Sequence, residues 1–139
     1  MTSQLNVDTI VDKAGSGGTN VKVANTSTYI SDNGGATPNL VNSVEKAWGF
    51  GDGSATLGDS LNIASGTDNG TGQYTYAYTT NFNTNKYGGA ITAKDSGNYI
   101  AVFAEVRTNN FDTHNRSDST GNHDNGNLFG CWGDLHNGK

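Results

Sequence analysis

A shortage of aliphatic side chains constrains this sequence more than any other feature: Leu, Ile, Val and Phe together supply 24 of 139 residues, while Gly, Asn, Thr and Ser supply 67. Folding must offset roughly 1–2 kcal/mol of backbone entropy per residue, and so small an apolar share is typical of chains that stay disordered. Charge argues the other way. The formal net charge is −5 with 15% charged residues, whereas disordered segments combine low hydrophobicity with high net charge. The six Tyr, five Phe and two Trp also cluster into alternating runs. The expectation is an ordered β protein with a thin monomer core, in which aromatic rings replace aliphatics and neighbouring chains supply the missing burial. A homo-oligomer follows from that.

Eight basic residues stand against thirteen acidic ones, without a Lys/Arg cluster, so there is no electrostatic footprint for a phosphate backbone. Nucleic acid is not an expected partner. No apolar run approaches membrane-spanning length, and the opening residues lack the charged and apolar regions of a signal peptide, so neither membrane insertion nor secretion is expected. The single Cys131 has no intrachain disulfide partner and reads as a small buried apolar residue. No cofactor is implied.

Along the chain, Gln4 to Asp12 alternates apolar and polar residues, with Leu5, Val7, Thr9 and Val11 on one face of an extended strand and Ile10 among them. A glycine-rich break follows, and Val21 and Val23 mark a second short strand. Residues 1–24 therefore read as an extended anchoring arm. Such an arm docks elsewhere, because a lone pair of strands is marginal in water. Residues 25–43 read as a linker and the start of a short helix: Leu40, Val41, Val44 and Trp48 fall at helical spacing between Asn39 and Trp48.

Residues 44–139 read as a compact β head. Leu57, Leu61 and Ile63 predict one strand, and Asp68 to Gly72 supplies the turn of a hairpin. The return strand, Gln73 to Thr79, puts Tyr74, Tyr76 and Tyr78 on one face. With Trp48 they form an aromatic face that belongs either to the core or to an oligomer contact. Further strands are predicted at Gly88 to Ala93, Tyr99 to Thr108 and Leu128 to Leu135. The fold class is all-β: an antiparallel sandwich-like head with an extended N-terminal strand arm and one short helix. Between the last two strands, Asn109 to Asn127 reads as a long polar loop, and Phe111, His114, Arg116 and His123 are its candidate receptor contacts.

Catalytic signals are weak. Asp52, Asp59, Asp68 and Asp95 each sit beside Gly, Ser or Asn, a context that turn formation explains. Glu45 is assigned to the short helix and Glu105 to the polar face of a strand. His114, His123 and His136 fall near Asp112, Asp118 and Asp124 without the spacing of a zinc or calcium site, so no metal is expected. The glycine runs at 15–18 and 49–53 lack the residues of a phosphate loop. The chain is not expected to be an enzyme.

Two stretches carry a resemblance. Val44-Glu45-Lys46-Ala47-Trp48, then Gly51 to Thr56, then Asp59-Ser60-Leu61-Asn62-Ile63 through Asp68-Asn69-Gly70-Thr71-Gly72-Gln73-Tyr74-Thr75 resembles the C-terminal modules of phage tail-fibre-like proteins. Leu5 to Gly15 is similar to the opening of many such proteins, especially from phages of marine bacteria. The resemblance implies a virion structural protein, made in the host cytoplasm and placed at the particle surface. It also implies a trimer in contact with other tail or capsid proteins, in some cases taking part in host attachment. Because this chain has no extended shaft, a capsid decoration role (cement or head-fibre protein) is the alternative. A carbohydrate-binding module contacting host surface glycans through Tyr, Trp132 and the Asn109 to Asn127 loop is another.

Overall fold

The computed structural model describes residues 43–94, 97–117 and 121–135, and nine strands follow one another through them: β1 (Glu45–Gly51), β2 (Leu57–Leu61), β3 (Ile63–Gly70), β4 (Gln73–Tyr78), β5 (Gly88–Ala93), β6 (Tyr99–Val106), β7 (Asn110–Ser117), β8 (Gly121–Asn122) and β9 (Asn127–Trp132). They pair antiparallel into two sheets, one in the order β2-β1-β9-β5 and the other in the order β3-β4-β7-β6, with β8 added to β7. Both sheets send side chains into one core, which makes the fold an all-β sandwich. The arm residues Leu5, Val7, Thr9, Ile10, Val11, Val21 and Val23 lie outside the described residues, as do the linker through residue 42, Asp95, Asp118 and His136.

The period-two run at Gln73–Tyr78 is the strand expected of it, and Tyr74, Tyr76 and Tyr78 all point inward. They are the monomer's own core, not an oligomer face. Tyr76 packs against Phe129 at 4.6 Å and Phe111 at 5.4 Å between ring centroids, and Tyr78 packs edge-on against Phe82 at 4.9 Å. Rings of this size bury enough area each to stand in for several aliphatics. Facing them, β1 turns Ala47, Gly49 and Gly51 inward. A methyl group on Gly49 would meet the Phe129 ring at 3.0 Å, and one on Gly51 would collide with the Tyr76 hydroxyl. Small residues on β1 thus leave the space that Phe129 of the neighbouring strand and Tyr76 of the opposite sheet fill.

Two sequence expectations are corrected here. Glu45 to Trp48, in the second half of the helix expected over Asn39 to Trp48, belongs to strand β1; Ser43 is the one described residue in helical conformation, and residues 39–42 lie outside the described residues. The spacing of Val44 and Trp48 imitated a helix because the inward positions of β1 are Ala and Gly, which carry no hydrophobic signal. The second correction concerns Asn109 to Asn127. It is not a long loop: Asn110–Ser117 is an inner strand, flanked by β4 and β6. Its inward residues are Phe111, Thr113 and Asn115, so two of the three core positions are polar and the alternation does not show.

Local chemistry fixes the corners. Asp52 accepts hydrogen bonds from the N–H groups of Ser54 (2.9 Å) and Thr56 (2.8 Å), shaping the β1–β2 turn. These two bonds hold its carboxyl below the usual range. Leu57 to Ile63 is two strands instead of one. Asn62 takes a left-handed φ of 59° between them, and its side-chain amide bonds the backbone N–H (2.7 Å) and C=O (3.0 Å) of Thr80. The chain thereby leaves one sheet and enters the other.

Candidate functional site

The outer face of β2-β1-β9-β5 groups three outward-facing rings, and strand alternation explains why. With Ala47, Gly49 and Gly51 inward, Trp48 and Phe50 face out. With Phe129 and Cys131 inward, Leu128, Gly130 and Trp132 face out. Trp48 stands opposite Gly130 across β1–β9, and Trp132 opposite Gly88 across β5–β9. A groove of about 430 Å³ runs over these positions. Its walls include Trp48, Phe50, Leu128 and Trp132, and its rim carries the carboxylates of Glu45 and Asp59. Clefts of 300–1,000 Å³ with apolar walls and a few polar groups are the usual form of small-ligand sites.

Three side chains of this face rest on glycine. A methyl group on Gly88 would lie 2.5, 3.0 and 3.1 Å from Nε1, Cδ1 and Cε2 of Trp132. Three atoms of one ring at such similar distances mean that the indole lies flat on the Gly88 backbone. The residue is still 38% exposed, so part of the ring is left to solvent. A side chain on Gly130 would run into the Glu45 carboxylate, so Glu45 lies over the groove floor next to Trp132. Phe50 lies against Gly58, and the Lys94 ammonium sits 4.7 Å from its ring centroid. Both ion pairs among the described residues are formed by Arg107, with Glu105 and Asp112 on the opposite sheet. Glu45 and Asp59 take part in neither.

The residues expected to share one contact loop are dispersed. Phe111 is fully buried among Tyr76, Tyr78, Phe103 and Phe129 and is unable to touch a receptor. His114 and Arg116 face outward on β7 beside Val102 and Ile100 of β6. His123 lies beyond β8, its ring 4.8 Å from that of Tyr99. Trp48 and Trp132, noted separately in the sequence, are brought together. Sequence reasoning missed Phe50, Glu45 and Asp59 as their companions, because Glu45 was assigned to a helix and Asp59 to a turn. The signal that would have found them is the double alternation of Trp48, Phe50 with Leu128, Gly130, Trp132.

The buried chemistry elsewhere is structural. Cys131 is fully buried with its thiol 3.5 Å from the Tyr78 hydroxyl, and burial pushes that thiol up to about 11. At one end of the core, Asn127 donates through Nδ2 to Thr113 Oγ1 (3.1 Å), and Asn115 donates to the Asn125 carbonyl (2.6 Å). Tyr74 links the same end to the β1–β2 turn, its hydroxyl donating to Gly53 O (3.1 Å) and accepting from Asn125 N–H (3.2 Å). No protein-family model, curated protein or solved structure matches the chain.

Proposed function

We propose that the chain is a bacteriophage virion structural protein, tail-fibre-like and oligomeric, whose β head is displayed at the particle surface while residues 1–24 anchor it. Its work on this reading is burial, strand addition and display instead of catalysis. The observation that carries the proposal is the resemblance through Val44 to Thr75. That stretch supplies strands β1 to β3 and the start of β4, across both sheets of the head, so what resembles fibre modules is a continuous part of one folding unit.

Further support comes from the distribution of exposed apolar groups. Leu61, Leu128 and Trp132 lie on one outer face, and Ile100 and Val102 on the other. Exposed apolar faces on a small domain mark surfaces that meet partners. One of these faces is an attachment surface on this reading, and the other is available to sister chains. The alternating sequence of Gln4 to Asp12 suits anchoring because such a segment can complete an open sheet edge, with backbone hydrogen bonds giving affinity and alternate side chains giving register.

Deleting residues 2–12 tests the assignment. The truncated chain is expected to keep a folded head, judged by its thermal transition, and to fail to enter particles. Normal incorporation would overturn the anchoring role. Copies per purified particle separate tail from capsid: a few to a few dozen for a fibre, hundreds for a decoration protein.

A further inference from the structure

We infer that the groove on the outer face of β2-β1-β9-β5 binds a neutral saccharide, one sugar ring stacking on the exposed part of Trp132 with its hydroxyls donated to Glu45. This deepens the reading of the head as a displayed attachment module by naming the chemistry it meets. A pyranose ring presents an apolar C–H face and a rim of hydroxyl donors. The groove offers the complement of both. Trp132, held flat by Gly88, is a preset planar surface that loses little freedom on binding. The Glu45 carboxylate beside it, lying over Gly130, accepts hydrogen bonds and donates none. Trp48 and Leu128 wall the same floor, and Asp59 adds a second acceptor.

Charge decides between ligand classes. Two carboxylates and no base line the groove, which opposes phosphates and acidic sugars. A cationic ligand would seek the aromatic faces, but Phe50 already carries the Lys94 ammonium at 4.7 Å, and that charge opposes a second one nearby. A neutral polyol meets neither penalty and uses the acceptors at the rim.

Trp48 and Trp132 are both tryptophans of the chain, so the intrinsic tryptophan emission of the full chain arises at the groove. Titration with glucose, galactose, mannose and N-acetylglucosamine, followed by emission and by calorimetry, is expected to give a saturable response to at least one of them. For a single ring the dissociation constant should be on the order of 1 mM. Trp132→Ala should weaken that binding at least about tenfold and Trp132→Phe less. Glu45→Gln should weaken it severalfold, with thermal transitions close to that of the parent. The uronic acid of the preferred sugar should bind more weakly than the neutral form.

Absence of a response to every sugar, undiminished binding by Trp132→Ala, or equal binding of the uronic acid would overturn the inference. So would an emission maximum that moves with protein dilution in the absence of sugar, which would mark the groove as a contact between copies. Incorporation into particles is scored separately, so a chain that assembles normally but binds no sugar overturns this inference and leaves the virion role standing.

Discussion

The indole of Trp132 lies flat on the backbone of Gly88, its cross-strand partner, with Nε1 2.5 Å from where a β-carbon on that glycine would stand. Gly88 therefore works as a seat for the ring, and Gly88→Ala should lift the indole from the sheet. Because the ring lies at the surface, a β-carbon at position 88 displaces it toward solvent and not into the core, and the stability cost is expected to stay within about 0.5 kcal/mol. The tryptophan emission, by contrast, should shift. A large drop in stability with unchanged emission would show that the ring is fixed by something other than its seat.

Asn62 makes the crossing between sheets through its left-handed backbone and its paired side-chain bonds to Thr80. Glycine keeps the backbone freedom and loses the bonds, so Asn62→Gly should cost about 1 kcal/mol. Asn62→Ala loses both and should cost about 2 kcal/mol. Denaturant titration checks the order. Equal costs would mean that the left-handed φ is not what Asn62 supplies.

In the core, Thr113 and Asn127 are coupled through one buried hydrogen bond, and the side-chain oxygen Oδ1 of Asn127 is buried without a partner among the described residues. Thr113→Val alone removes an acceptor and should cost about 1–2 kcal/mol. Combining it with Asn127→Leu should cost less than the sum of the two single changes by about 1 kcal/mol, because the polar pair leaves together. Additivity would contradict the coupling.

Alkali should unfold the head through its tyrosines. Burial pushes Tyr74 and Tyr87 up to about 12 from an ordinary 10.0, against hydrogen bonds with Asn125 and Tyr78 that pull them down, and it pushes Tyr78 further still and Cys131 to about 11 from 9.0. The unfolded chain releases these protons at lower pH than the folded one. The stability they represent is therefore complete below about pH 9 and declines as pH rises through the folded values. Tyrosinate absorbance is expected in two stages, exposed rings first and the buried ones together with loss of structure. A single smooth titration near pH 10 in a chain that stays folded would contradict it.

Sequence pattern revealed most where one face of a strand is large and the other small and polar. Strand β4 satisfied that condition with three inward tyrosines, and Gly88–Ala93 was also found with its bounds. The pattern failed where the core departs from hydrophobic-in, polar-out. On β1 the inward residues are Ala47, Gly49 and Gly51, made small by the rings of Phe129 and Tyr76. On β7 they include Thr113 and Asn115, which belong to a polar core end with Asn125 and Asn127. The groove escaped for a related reason. Trp48, Phe50 and Trp132 are large residues on the outer face, and only the strand register shows that they share it with Glu45 and Asp59.

A reconstruction of purified particles would locate the head on the virion. Nine-stranded sandwich density is expected at the particle surface, with the face bearing Trp48 and Trp132 open to solvent. Particles that lack the chain altogether, or that hold that face sealed against the shell or a sister head, would contradict a head displayed outward from the virion.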